Sequence, residues 1–376
     1  MESRLHADIN TPERVLLGPG PSMAAPRVLR ALSAPLLGHL DPEFLNILNQ
    51  EQQLLRNVFQ TKNELTLSIS GTGSAGMEAA LCNFIEPDDS VLVAVIGFFG
   101  DRMCEMARRY GAEVDRLDRP WGQIFDPAQI ETALKSKHYK LLAMVHAETS
   151  TGALQTCLSE IALAAHRNGA LLVLDTVTSL GGIPVEIDRW DVDIAYSATQ
   201  KCLSCPSGLA PITVNATALE ILRNRKNPVS NWYLDLLGLK NYWESPHTYH
   251  HTAPCSLHFA LREGLLMALE EGLTARFTRH RANAELLWNG LEALDLPLLV
   301  PADFRLSTLS TPLLPSYIDE TIIRKRLLEE YNIEIAGGFG PLKGKVWRIG
   351  LMGYSSRREN ITLLLAALEE ILRNPR

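Results

Sequence analysis

Residues 70–81 read SGTGSAGMEAAL. A strand-like run, ELTLSI (64–69), comes just before them, and a helical pattern, SAGMEAALCNFI (74–85), begins inside them. A strand, a glycine-rich turn and a helix N-terminus in that order suit a phosphate. Glycine lets the backbone approach closely, and the unpaired N–H groups and positive dipole end of the helix face the anion. The run G-T-G-S-A-G also matches the dinucleotide fingerprint. That fingerprint needs an acidic residue at the end of the next strand, about 20 residues on, for a ribose hydroxyl. The next strand, SVLVAVI (90–96), ends instead in Gly97-Phe98-Phe99, and Asp88 and Asp89 stand at its other end. Taken alone, the turn reads equally as a phosphate cup or as a bend that needs glycine for geometry.

Outward from this turn, short apolar runs rich in β-branched residues alternate with helical patterns. DRMCEMARRYG (101–111) and SEIALAAHRNG (159–169) predict helices stopped by glycine. AEVDRL, KLLAMVH, ALLVLDTV and DIAYSA follow as strands. Near-continuous apolar strands separated by helices predict an α/β fold with a mostly parallel sheet covered on both faces. After about residue 255 the pattern changes to two long helical stretches, a few strand-like pieces (LSTLSTPLL, NIEIAG, KVWRIGLM) and a terminal helix, RENITLLLAALEEILRN. The expected division is an N-terminal arm (1–20), a large domain (21–255) and a smaller C-terminal α+β domain (256–376).

With 376 residues the chain is long enough for one large and one small domain. The net charge is −7 and no block of Lys or Arg stands out, which argues against nucleic acid as a partner. No apolar run approaches a membrane span, and neither an apolar leader nor a peroxisomal tripeptide is evident, so the expected location is cytoplasmic. Cys202-x-x-Cys205 lacks a second ligand pair, and His247, His250 and His251 lack carboxylates at ligand spacing, so no metal site is expected.

LLVLDTVTSLGG (171–182) places Asp175 near the C-terminal end of a buried strand, the edge where ligands of such sheets gather. A carboxylate buried there needs a cationic partner. Asp175 and Val177 share a face by strand alternation. A flat cationic heterocycle would satisfy both, with a ring nitrogen on Asp175 and the ring against Val177. YSATQKCLSCPSG (196–208) then places Lys201 just past a strand among small and hydroxyl residues. By itself Lys201 reads as a surface lysine. A phosphate cup, a buried Asp, an aromatic Phe99 after a strand and a loop Lys together fit one cofactor, pyridoxal 5′-phosphate, which takes a lysine for its Schiff base and an acid to keep its nitrogen protonated.

In LLGPGPS (16–22), GTGSAGMEAAL (71–81), ETSTGALQ (148–155), LDTVTSLGG (174–182), SATQKCL (197–203), YHHTAP (249–254) and GGFGPLKGKVWRIGLMG (337–353), the chain resembles the class V aminotransferases of fold type I, on the alanine–glyoxylate/serine–pyruvate branch. The resemblance spans nearly the whole chain. It implies a seven-stranded sheet in the large domain. It also implies that Lys201 carries the cofactor, Asp175 holds the ring nitrogen, Val177 and Phe99 sandwich the ring, and Thr72, Gly73, Ser74 and Gln200 bind the phosphate. Phe99 stands where many relatives have Trp, and Ser74 where they often have His. Ser150 would approach the ring hydroxyl side. Tyr249 and Thr252 would reach the phosphate of the other subunit, making a homodimer with a shared site. Arg348, with backbone near Gly20, would grip the substrate carboxylate.

Arg348 has a case of its own, since a charge in the apolar run KVWRIGLMG serves either a structural ion pair or a bound carboxylate, which a guanidinium grips bidentately. The function implied is transfer of an amino group from alanine or serine to glyoxylate or pyruvate, in two half-reactions on one site. No second Arg is evident for a side-chain carboxylate unless Arg102, Arg223 or Arg225 folds inward. Alternatives within the family are donors such as ureidoglycine, pyridoxamine or a phosphonate. A lyase or desulfurase of the same fold needs a reactive cysteine late in the chain, and the last one here is Cys255.

Overall fold

The computed structural model describes residues 9–374; the start of the expected arm and the last two residues of the expected small domain lie outside the described residues. Its centre is a seven-stranded sheet. The strands are β1 (Leu65–Ser70), β2 (Ser90–Val95), β3 (Glu113–Asp118), β4 (Leu141–Val145), β5 (Leu171–Asp175), β6 (Ile194–Tyr196) and β7 (Leu209–Val214). Their order is β1-β7-β6-β5-β4-β2-β3. Pairing is parallel from β3 through β2, β4 and β5 to β6, while β7 is antiparallel to both β6 and β1. Every strand except β7 therefore points the same way. The C-terminal ends of β1, β2 and β5 and the β6–β7 connection all meet at one edge.

The strands are apolar on both faces because both faces are covered. Val91, Val93 and Val95 pack into one core cluster, and Leu92 and Ala94 into the other. Each such side chain contributes on the order of 1.5–3 kcal/mol by leaving water. β3 departs from this pattern. It is an edge strand, and its charged sequence EVDRLD is largely exposed, with Glu113 and Asp115 both close to Lys137. Helices α1 (Gly73–Cys82) and α2 (Phe98–Arg109) follow β1 and β2 directly, so each helix starts at the ligand edge.

Sequence reasoning omitted β7. Its segment LAPITV contains Pro211, which lacks a ladder donor and argues against an interior strand. Pro211 is nonetheless interior, paired with Ser68, and its carbonyl accepts from Ser197 N at 2.7 Å.

Helices α3 (Cys255–Glu271) and α4 (Leu273–Ala293) match the two long helical stretches. α3 packs Ala260, Leu261 and Leu265 into the same cluster as one face of the large sheet. Beyond α4 comes a three-stranded antiparallel sheet, ordered β8-β10-β9, of β8 (Leu309–Ser310), β9 (Ala336–Gly337) and β10 (Trp347–Gly350). It is covered by α5 (Glu320–Tyr331) and α6 (Arg358–Arg373), whose Ile323, Leu327, Leu364 and Leu368 share a core with Trp347 and Ile349. Residues 15–16 pair in parallel with 333–334, and Leu17 O accepts from Gly350 N at 2.7 Å. The extended N-terminal segment thus anchors on the C-terminal sheet and then leads Pro19 and Gly20 toward the large one. No helix among the described residues is long and apolar enough to cross a membrane.

Candidate active site

Asp175 ends β5 with only 3% of its surface exposed. Its Oδ1 accepts from Val177 N at 2.8 Å and its Oδ2 from the hydroxyl of Tyr196 at 2.7 Å. Tyr196 comes from the neighbouring strand, directly opposite Asp175 in the β5–β6 register. Burial pushes the carboxyl up to about 6, and these two hydrogen bonds pull the other way. A buried carboxylate held by two donors is set to receive a cation.

Lys201 lies in the β6–β7 connection, and the turn that carries it is firmly tied. Ser22 Oγ donates to Lys201 O at 2.7 Å, and Arg276 of α4 donates to Cys202 O at 2.6 Å. The ammonium is buried and donates to Pro19 O. Burial lowers its pKa to about 8. Gly20 lies against it with φ +112, and a Cβ there would sit 2.6 Å from Lys201 Nζ. Only glycine fits both that backbone angle and that contact.

Asp175, Val177, Gln200 and Lys201 line one cavity of about 180 Å³, together with Phe99 from the start of α2 and Thr72, Gly73 and Ser74 from the start of α1. The side chain of Thr72 at the N-cap makes no capping hydrogen bond; Ala75 N and Gly76 N donate to Thr72 O, which leaves the N–H groups of Gly73 and Ser74 for the cavity. A Cβ on Gly73 would meet Ala198 at 2.9 Å and Val177 at 3.3 Å. Gln200 Oε1 is buried without a hydrogen-bond partner among the described residues. Arg102 also lines the cavity and donates to Ser74 Oγ at 2.9 Å.

Arg348 sits on β10, only 4% exposed, and forms no ion pair among the described residues. Its Nε donates to Gly337 O at 2.8 Å, and its guanidinium lies 3.8 Å above the Phe339 ring. Phe339 in turn packs on Phe98 at the start of α2. Burial lowers the Arg348 pKa to about 10, with Glu148 opposing. Of the two readings left open for this residue, the structural ion pair is absent.

Ser150 lies behind this region, fully buried. Its hydroxyl donates to Glu148 Oε1 at 2.7 Å and accepts from Phe98 N at 3.0 Å. Glu148 Oε2 is buried without a partner among the described residues, and burial pushes this carboxyl up to about 7. Tyr249 and Thr252 do not line the cavity of their own chain. Tyr249 is 59% exposed, near His39, and Thr252 is exposed too. Of the three arginines weighed as a second carboxylate grip, Arg223 is on the surface near Glu220, and Arg225 donates to the carbonyls of Asn83 and Ile85. Only Arg102 reaches the cavity. The thiols of Cys202 and Cys205 donate separately, to Thr178 O and Ala260 O, and burial pushes both up to about 12.

Sequence reasoning did not single out Tyr196, Glu148 or Phe339. Tyr196 was within reach of it, because a buried Asp requires donors and the register of the adjacent strand supplies one. Glu148 and Phe339 act through contacts between distant segments that local patterning does not encode.

A lysine amine, a carboxylate and a helix N-terminus around one small cavity, with an unpaired arginine nearby, match what the whole chain resembles. The family model for Aminotransferase class-V matches residues 15–360. The chain belongs to the class-V aminotransferases. Among solved structures, an alanine–glyoxylate aminotransferase from Nostoc sp. is 49% identical with a TM-score of 0.97, covering 99% of this chain and 98% of that one. A ureidoglycine–glyoxylate aminotransferase from Bacillus subtilis is 43% identical with a TM-score of 0.96, covering 98% and 96%. The alanine–glyoxylate aminotransferase of Drosophila melanogaster is 38% identical over 98% of this chain and 95% of its own.

This class-V enzyme is thus an aminotransferase of fold type I, and its cofactor is pyridoxal 5′-phosphate. The cavity fits that group. It offers a buried carboxylate for a ring nitrogen, an amine for an aldehyde and uncapped N–H groups for a phosphate. It also holds an unsatisfied amide at Gln200, whose oxygen and nitrogen ends are interchangeable in assignment.

Proposed function

We propose that this aminotransferase moves the amino group of alanine or serine to glyoxylate or pyruvate by a ping-pong route. The observation that carries this reading is Arg348, a buried guanidinium without a carboxylate partner among the described residues, held against Phe339, which packs on Phe98. Such a group binds one carboxylate bidentately. With Arg223 and Arg225 engaged elsewhere and Arg102 turned toward Ser74, a donor with one carboxylate and a small side chain is favoured over aspartate or glutamate.

When bound, the cofactor withdraws electrons from the substrate's α-carbon and stores the amino group between the half-reactions. Asp175 holds the positive charge on the ring nitrogen, while Val177 and Phe99 fix the ring plane. Thr72, Gly73, Ser74 and Gln200 hold the phosphate. Lys201 would anchor the cofactor, and its amine would serve as the base that takes the α-proton. Its lowered pKa leaves a useful fraction of neutral amine near neutral pH. Gly20 leaves room for Lys201 Nζ and brings backbone toward the substrate carboxylate. Glu148 accepts from the Ser150 hydroxyl and so holds Ser150 in place for a role on the ring hydroxyl side.

The exposure of Tyr249 and Thr252 supports a homodimer in which each chain lends these residues to its partner's phosphate site. For the expected domains, an arm at 1–20, a large domain and a small one, the packing of α3 supports a second boundary at Gly272 instead of residue 255.

A second reading, ureidoglycine as donor, is favoured by the transaminase of that name from Bacillus subtilis, 42% identical over 97% of this chain and 92% of its own. The test is a half-reaction screen. Cofactor-loaded enzyme is mixed with one amine at a time and the loss of its visible absorbance is followed. Conversion by alanine and serine, but not by aspartate or glutamate, is expected. Conversion by ureidoglycine alone would replace the first reading with the second.

A further inference from the structure

We propose that Arg102 is the cation of the phosphate site, binding the cofactor's phosphate side by side with Ser74; this rests on the reading that the start of α1 holds that phosphate. Arg102 lies in the first turns of α2, and its guanidinium crosses to the first turn of α1, where Nη1 donates to Ser74 Oγ at 2.9 Å. Its guanidinium carbon lies over both Phe98 and Phe99, at 5.2 and 5.0 Å from the ring centroids, so two aromatic rings confine its position. It lines the same cavity as Thr72, Gly73 and Gln200. Among the described residues it makes this one side-chain hydrogen bond and no ion pair. A half-buried guanidinium with free donors and no carboxylate in ion-pair contact calls for an anion.

Position selects which anion. Ser74 is the second residue of α1, beside the uncapped N–H groups, so the free donors of Arg102 converge with them. A phosphate monoester carries about two negative charges and three acceptor oxygens, enough for both the helix end and a guanidinium. Arg102 would thus discriminate the phosphorylated cofactor from its unphosphorylated form. Its contact with Phe99 links the phosphate contact to the residue that covers the ring.

The test uses cofactor-free protein titrated with pyridoxal 5′-phosphate and, separately, with pyridoxal, with the bound fraction read by equilibrium dialysis and absorbance. Arg102→Met is expected to weaken the phosphorylated compound about 10- to 100-fold, the range for a charge-assisted hydrogen bond, and pyridoxal less than about twofold. Arg102→Lys should recover part of the loss, and inorganic phosphate should compete with the cofactor in wild type far better than in Arg102→Met. Ser74→Ala, which removes one hydroxyl oxygen and keeps the Cβ, should weaken only the phosphorylated compound, by several-fold.

Equal weakening of both compounds would overturn the proposal, since it would mean Arg102 only positions Phe99. So would an unchanged affinity for the phosphorylated compound, with or without a raised KM for dicarboxylic donors. Failure of the underlying reading looks different: wild-type protein that takes up neither compound overturns both.

Discussion

Asp175→Asn is expected to stabilise the cofactor-free chain while removing the group that holds the ring nitrogen. Asp175 is buried, and its carboxyl is raised from the usual 3.8 to about 6, chiefly by burial. A rise of about two units corresponds to ~3 kcal/mol of destabilisation when the group is ionised in the unfolded chain. Asparagine has the same shape and keeps one acceptor for the Val177 and Tyr196 donors. Part of the gain is lost with the second acceptor, leaving about 1–3 kcal/mol.

The sign with pH follows from the raised value. Below about pH 4 both states are protonated, and the Asp costs nothing. Between pH 4 and 6 the unfolded chain ionises first, so the wild type falls progressively behind the variant, and above pH 6 the gap is constant. The assay is thermal and denaturant unfolding of both cofactor-free proteins at pH 5 and 7.5. The expected result is a more stable variant at pH 7.5, with the advantage smaller by about 1.4 kcal/mol at pH 5. Adding cofactor should reverse the order, because the ring cation then satisfies the carboxylate. A variant no more stable than wild type at pH 7.5, or an advantage equal at both pH values, would refute the reasoning.

Three further outcomes are expected. Tyr196→Phe removes one donor from Asp175, so the acid limb of the kcat–pH profile should move up by about one unit, checked by steady-state rates from pH 5 to 9. Arg348→Lys replaces a bidentate grip with a point charge, so KM for the amino donor should rise about 10-fold or more with a smaller change in kcat. Gly20→Ala would place a methyl 2.6 Å from Lys201 Nζ at a φ of +112, and cofactor uptake should slow or weaken as measured by absorbance.

Much of this was legible because the large sheet is covered on both faces. Strands such as SVLVAV and LLVLD are apolar without alternation, and that signature survives without knowledge of neighbours. Asp175 stood out because a charge at the end of such a strand conflicts with its surroundings, and Lys201 because small residues frame it. The same local logic hid β7, where Pro211 accepts from Ser197 N but has no N–H to return, and the strand forms despite that lost bond. It also hid the pairing of residues 15–16 with 333–334, which depends on segments more than 300 residues apart. Arg102 was weighed only as a grip for substrate, because nothing in DRMCEMARRYG reveals that its guanidinium meets Ser74 across two helix starts.

The central claim is that Lys201 is the amine that joins the cofactor opposite Asp175. Borohydride reduction of the cofactor-loaded enzyme, followed by proteolysis and mass spectrometry of the peptides, tests it most directly. The expected result is a single pyridoxyl-phosphate adduct, on Lys201. An adduct on another lysine, or none at all from enzyme that retains its yellow colour, would contradict it.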